Sequence, residues 1–131
     1  MKLLLDTHTL LWWVWDSAKL GKQARSLILS DETLIWVSAA SIWEMSIKAP
    51  LGRLDRLPPF EDELRIELEQ SDFRPLAITF DHARAVSKLP LHHRDPFDRM
   101  LIAQARCEDL TLVTADRAIA AYDVRTIDAA R

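Results

Sequence analysis

A chain of 131 residues with 49% hydrophobic content and a formal net charge of −3 suits one domain, over residues 1–131, that buries roughly two thirds of its unfolded surface. The acidic balance excludes holding a polynucleotide through a general excess of positive charge and leaves only a local patch for that purpose. With Gly21 and Gly52 as the only glycines, a glycine-rich phosphate loop is excluded; with Cys107 as the only cysteine, so is an intramolecular disulfide, which points to a reducing cytoplasm.

The amino end begins like a secretion signal, but Asp6 and His8 interrupt its apolar run and no small-residue cleavage site comes after it. No apolar stretch approaches the about 20 residues of a membrane-spanning helix, so a soluble protein without membrane contact is expected. Lys2 to Leu5 reads as a short buried strand, and Thr7 or Thr9 then opens a helix carrying Trp12, Trp13 and Trp15. Gly21 to Ser30 fits a helix with Ala24, Leu27 and Ile28 on one face, and Thr33 to Val37 a strand. Ser38 or Ser41 can cap a helix reaching about Lys48; Pro50, Gly52, Pro58 and Pro59 punctuate the next connection, and Pro59 opens an acidic helix over Glu61 to Gln70. Arg74 to Ile78 is a weaker strand, and a helix starting at Asp81 stops at Pro90. After a polar loop from Leu91 to Asp95, the Asp95-Pro96 pair supplies a cap and a first-turn proline for a helix to about Cys107. Leu110 to Thr114 is a buried strand, Arg117 to Tyr122 a short helix and Val124 to Ile127 a last strand. The alternation predicts an α/β fold: a parallel sheet with helices on both faces.

Four carboxylates stand where the pattern otherwise calls for apolar residues: Asp6, Glu44, Asp98 and Asp116. Ionised acids beside core elements need a cap to make, a cation to pair with or a metal to hold, because burying an unpaired charge costs several kcal/mol or more. Asp6 and Asp116 end strands, where open parallel sheets form their sites. Glu44 and Asp98 lie on adjoining helices, so all four can converge. A divalent cation is the simplest way to keep such a cluster ionised, and all-oxygen ligation points to Mg²⁺ or Mn²⁺. Metal-assisted hydrolysis by water is the chemistry such a cluster implies. Each acid also has a structural reading. Asp6 and Asp116 can cap the helices after them, Glu44 can pair with Lys48 at i+4, and Asp98 stands three residues after Asp95, the position of a capping-box acid.

The histidines show no zinc spacing: His92 and His93 adjoin in a loop, His82 lies in a helix, and His8 is close enough to Asp6 in the chain to face the site. Lys48, Arg53, Arg56, Arg94 and Arg99 are candidates to hold a phosphate backbone. Trp12, Trp13 and Trp15 cannot share one helix face, so one is expected to be exposed or covered by a partner helix or second copy.

Leu-Leu-Leu-Asp6-Thr-His8, Ser-Ile-Trp-Glu44-Met-Ser-Ile-Lys48, His93-Arg-Asp-Pro-Phe-Asp98-Arg-Met-Leu-Ile-Ala-Gln-Ala and Leu-Val-Thr114-Ala-Asp116 together resemble PIN-domain ribonucleases, specifically VapC-like toxins of type II toxin-antitoxin pairs. The resemblance spans almost the whole chain. It implies a three-layer α/β/α sandwich whose acidic pocket binds Mg²⁺ or Mn²⁺ and cleaves RNA in the cytoplasm. It makes Asp6 and Asp98 the main metal ligands, with Glu44 and Asp116 completing the pocket and the Thr114 hydroxyl orienting it, while Asp95 caps its helix. It further implies a homodimer and a cognate antitoxin laid along an apolar groove near the pocket, for which the exposed part of the Trp12 to Trp15 helix is suited.

Two alternatives come from other classes. A metal-dependent phosphotransfer domain of the haloacid-dehalogenase type needs a second aspartate where His8 stands, and a receiver-like domain needs an acid beside Asp6 where Leu5 stands. A noncatalytic protein-binding module would use the acids as caps and the tryptophans as an interface.

Overall fold

The computed structural model describes residues 1–56 and 62–131. Five strands, β1 (Lys2–Leu5), β2 (Leu34–Ser38), β3 (Arg74–Leu76), β4 (Thr111–Thr114) and β5 (Thr126–Asp128), form one sheet in the order β3-β2-β1-β4-β5. All four pairings are parallel, with Leu3 opposite Ile35 on one side and Thr111 on the other. Among the described residues, six α-helices connect them: α1 (Thr7–Val14), α2 (Lys22–Leu29), α3 (Ala39–Lys48), α4 (Asp62–Gln70), α5 (Phe80–Val86) and α6 (Pro96–Glu108).

Because side chains alternate along a strand, β1 feeds both faces of the sheet. Leu3 and Leu5 pack with Leu10 and Leu11 of α1, Ala24 and Ile28 of α2, and Leu64 of α4. Leu4 points the other way, to Leu101, Ile102 and Ala105 of α6, with Ala85 and Val86 of α5 against the same cluster. The result is a three-layer α/β/α sandwich, as the alternation predicts. Leu3, Leu4 and Leu5 are wholly buried, and each such side chain contributes about 2 kcal/mol of hydrophobic stabilisation. Helix α3 straddles the layers, giving Ala40 to one core and Met45 to the other.

The strand order sets the position of the site. The chain builds β1, β2 and β3 outward in one direction, then returns to lay β4 and β5 on the opposite side of β1. Connections from β1 and β4 therefore leave on opposite faces, which opens a crevice at the carboxyl ends of these two strands.

Several element ends depart from the sequence reading for local reasons. Helix α5 opens at Phe80, because Thr79 Oγ1 accepts from the His82 N–H while His82 Nδ1 accepts from the Thr79 N–H. This histidine takes the part that Glu or Gln plays in a capping box. The helix ends at Val86, four residues before Pro90. The Arg117 to Tyr122 segment holds only one 3₁₀ turn, Ile119–Ala121, and the last strand shifts to Thr126–Asp128 to pair in register with Leu112 to Thr114. Of the acidic helix, Asp62–Gln70 is present, while Pro59 and Glu61 lie outside the described residues. With glycine so scarce, aspartates take the left-handed turns: Asp16, Asp72 and Asp109 have φ between 50° and 56°, a conformation that Asp tolerates better than bulkier residues. Asp109 ends α6 in this way.

The tryptophans correct one expectation. Trp12, Trp13 and Trp15 are all half-buried against the core below α1, with Trp13 5.8 Å from Phe73 and its Nε1 donating to Ser71 Oγ. The exposed one is Trp43, at 58%. It borders an apolar groove of about 900 Å³ lined also by Val37, Ile42, Leu64, Leu68 and Phe73. Among the described residues, no helix is long and apolar enough to cross a membrane.

Candidate active site

Asp6 comes directly after β1 and is almost wholly buried. Its Oδ1 accepts from the Thr9 N–H at 2.8 Å, so the capping role read from the sequence is real. It does not exhaust the residue. The Thr114 hydroxyl at the end of β4 hydrogen-bonds to the Asp6 carboxylate and accepts from the Asp116 N–H at 3.0 Å. One hydroxyl thus links the acids that stand after the two central strands. The Asp6 N–H and the Thr9 hydroxyl both donate to the Val113 carbonyl, at 3.1 and 3.0 Å, tying the strand ends together. Burial raises the Asp6 pKa above its ordinary value, outweighing the bonds from Thr114 and Thr9 and the charge of His8.

Helix α3 brings in Glu44 from the side. Ser38 caps it, accepting from the Ala40 N–H at 3.0 Å, and Ser38 Oγ in turn donates to Gln104 Oε1 at 2.6 Å. Thr7 Oγ1 donates to Ser41 Oγ at 3.1 Å, so the first turn of α3 is fixed to both α6 and α1. Glu44 is buried and pairs through Oε2 with Lys48, as the i,i+4 spacing predicts. Lys48 also lies 4.0 Å from Asp95. Burial alone would lower the Lys48 pKa; its bond to Glu44 and the charges of Glu44, Asp95 and Asp98 outweigh that and raise it.

Asp95 and Asp98 open α6. Asp95 Oδ1 accepts from the N–H groups of Phe97 and Asp98, at 2.8 and 3.3 Å, confirming Asp95 as the cap. The reciprocal bond of a capping box is absent: the Asp95 N–H donates to His93 Nδ1 at 3.1 Å. This frees the Asp98 side chain for the crevice. Burial, followed by the charges of Asp95, Asp6 and Glu44, pushes the Asp98 pKa up to about 7. Asp116, the fourth acid, accepts from the Ala118 N–H through Oδ1 at 2.9 Å and meets His93 through Oδ2.

His93 is the residue that the sequence reading passes over. Its Nε2 lies 3.0 Å from Asp98 Oδ2 and 2.9 Å from Asp116 Oδ2. Burial would lower its pKa, but the Asp116 bond and the charges of Asp98, Asp116 and Asp95 outweigh it and raise it. Zinc-type spacing is the wrong test for this histidine. The usable signal is its position two residues before the Asp95-Pro96 cap, where the ring can take the cap's own N–H. His8, by contrast, is exposed on α1 and reaches Asp6 only through its charge.

Of the basic candidates, Arg99 is committed elsewhere: it donates to the carbonyls of Val86, Leu89, Pro90 and His93 and to Tyr122 Oη. Arg56 stacks over Trp15 at 5.7 Å. Arg94 is exposed beside His93 without an ion-pair partner among the described residues.

The residues fit a hard divalent cation. Glu44 Oε1 is a buried carboxylate oxygen with no hydrogen-bond partner among the described residues. Burial, and after it the charges of three other acids, raise the Asp98 pKa, a situation that a dication relieves. Carboxylate oxygens are the donors that Mg²⁺ and Mn²⁺ prefer.

A doubly wound parallel sheet with an acidic crevice at its switch point defines a class of α/β proteins that act at their strand ends. Within that class the chain belongs to the PIN domain family, whose model matches residues 3–125. Solved structures share the fold. VapBC2 from Rickettsia felis bound to a DNA fragment from their promoter superposes with a TM-score of 0.70 at 12% identity, over 97% of this chain and 98% of that one. VapBC-1 from nontypeable Haemophilus influenzae gives 0.65 at 19% identity over the whole of both chains, and FitAcB from Neisseria gonorrhoeae 0.58 at 22% over 96% of each. No curated protein sequence matches the chain.

Proposed function

We propose that this protein is a Mg²⁺- or Mn²⁺-dependent endoribonuclease and the toxin of a type II toxin-antitoxin pair. The observation that supports the reading is the acidic crevice after β1 and β4: His93, Asp98 and Asp116 bring ligand atoms within 4.8 Å of one another, and the charges of Asp6 and Glu44 act on Asp98 there. Membership of the PIN family and the likeness in fold to VapBC chains support it.

Asp6 and Asp98 would hold the cation, with the unpartnered oxygen of Glu44 turned to it or to its water. When bound, the cation supplies charge stabilisation at the phosphate and lowers the pKa of a water molecule. The chain's own part is to fix the acids: Thr114 orients Asp6, Lys48 holds Oε2 of Glu44, and the Asp95 cap sets the first turn that carries Asp98. Arg94, exposed and next to His93 in sequence, would be available to meet the RNA backbone. With a net charge of −3, the enzyme is selective rather than a general degrader of RNA.

The antitoxin is expected to lie in the apolar groove beside Trp43, whose neighbour in sequence is Glu44, and not along α1 as the sequence suggests. A homodimer is proposed on the family resemblance. The test is incubation of purified protein with transfer RNAs and ribosomal hairpins in Mg²⁺, Mn²⁺ or EDTA, beside Asp6→Asn. Discrete cuts that need both the metal and Asp6 are expected; no cut with any metal would overturn the assignment.

A further inference from the structure

The imidazole of His93 is held at every polar point. Its backbone N–H donates to Tyr122 Oη at 2.8 Å, and its carbonyl accepts from Arg99 at 3.4 Å. Tyr122 Oη also accepts from the His92 N–H at 3.1 Å and from Arg99 at 3.2 Å, so one buried phenol and one guanidinium pin the whole turn. The ring itself is fixed at Nδ1, which accepts from the Asp95 N–H at 3.1 Å.

That last bond decides the chemistry of the other nitrogen. A ring nitrogen that accepts an N–H carries no proton, so neutral His93 has its proton on Nε2. The surrounding carboxylates favour the imidazolium, whereas the Asp95 N–H disfavours it by confronting any proton on Nδ1. Both forms share the Nε2–H. That N–H faces two carboxylate oxygens, Oδ2 of Asp98 at 3.0 Å and Oδ2 of Asp116 at 2.9 Å. Asp116 has its other oxygen on the Ala118 N–H at 2.9 Å, so both of its oxygens are occupied by protein donors.

We propose that His93 is a positioning residue of the acidic site: its Nε2–H bridges Asp98 and Asp116, fixes the Asp98 carboxylate as a cation ligand, and makes Asp116 act through the imidazole instead of on the metal. This rests on the reading of the crevice as a cation site. One consequence is metal selectivity. An imidazole with a free Nε2 lone pair would draw a borderline transition metal, while one that presents Nε2–H leaves only carboxylate oxygens for the ion, the donor set of Mg²⁺ and Mn²⁺. A second consequence is that removing His93 and removing Asp116 are the same lesion.

The first test is the tautomer of His93 in the intact protein, read from the long-range ¹⁵N–¹H couplings of the imidazole with and without Mg²⁺. Nε2–H in both conditions is expected. A ring protonated on Nδ1 but not on Nε2, or loss of the Nε2 proton when Mg²⁺ is added, would overturn the proposal, since both are what a histidine ligating a metal through Nε2 requires.

The second is a double-mutant cycle read in Mg²⁺ affinity by calorimetry, without RNA. His93→Ala is expected to weaken binding about 10- to 100-fold, the usual effect of removing a hydrogen-bond partner from a ligand. Asp116→Ala should weaken it comparably, and the double variant no further than the weaker single one. His93→Gln, whose amide keeps a donor at the Nε2 position, should recover most of the loss. Multiplying effects would overturn the proposal, as independent ligands behave in that way, and so would an absence of Mg²⁺ binding. A protein that passes both tests yet cuts no RNA would overturn the proposed function alone.

Discussion

Replacing Asp98 by Asn should stabilise the metal-free protein at neutral and alkaline pH while removing its response to metal. Asp98 releases its proton near its ordinary value of 3.8 in an unfolded chain and near about 7 in the fold. Between these values the folded state binds more protons than the unfolded one, so stability falls as pH rises. The interval spans roughly three pH units at about 1.4 kcal/mol each, a loss approaching about 4 kcal/mol by pH 8. Asparagine mimics the neutral acid, keeping an oxygen for His93 and removing the charge that burial, and then Asp95, Asp6 and Glu44, oppose. Urea unfolding in EDTA from pH 4.5 to 8 should therefore show the variant close to the parent at the acid end and up to about 4 kcal/mol more stable at the alkaline end. With saturating Mg²⁺ the parent should recover much of the difference, because a cation held by the proposed site in the folded state alone would add its binding free energy to stability, and the variant should not move. A variant less stable than its parent at pH 8, or a gap independent of pH, would refute the view that burial and the neighbouring acids press Asp98 toward its neutral form.

Asp6→Asn keeps an acceptor for the Thr9 N–H and sheds a charge that burial disfavours; a melting temperature at or above the parent's, with RNA cleavage lost, is expected from parallel thermal melts and cleavage assays. Gln104→Leu strands the Ser38 hydroxyl that holds the α3 cap, and a buried polar group left unpaired costs about 1–3 kcal/mol, measurable by urea unfolding. Trp43→Ala, at a largely exposed position, should change stability by only about 0.5 kcal/mol while weakening the complex with the cognate antitoxin, as read by calorimetric titration.

The elements that can be read from the sequence are those whose signals are local. β1 and β4 are apolar runs with no competing period, and the Asp95-Pro96 pair starts α6 where cap chemistry places it. Boundaries escape a sequence reading where a distant or unconventional partner sets them: His82 serves in the cap of α5, and the register of β5 is set by β4 and not by its own composition. The Trp12 to Trp15 helix misleads for a related reason. Three indoles in four residues cannot share one face, but the sequence does not reveal that Phe73 and Ser71, far along the chain, meet Trp13 and leave Trp43 as the exposed ring.

The acids are legible because burial makes charge conspicuous, and the structural readings of them prove compatible with a functional one. Asp6 caps α1 through Oδ1 and is still pressed by burial toward its neutral form; Glu44 pairs with Lys48 through Oε2, and its Oε1 has no partner among the described residues. A carboxylate has two oxygens, so a cap or an ion pair on one does not exclude a ligand role for the other. What separates Asp116 from these is that both of its oxygens are taken, by Ala118 and by His93. That distinction depends on contacts 23 residues apart in the chain, which no local motif contains. It also accounts for His93 escaping notice. A histidine judged by ligand spacing alone is invisible when its role is to donate a hydrogen bond to a ligand, and the residue that fixes the donor is Asp95, the cap that makes this turn conspicuous in the sequence.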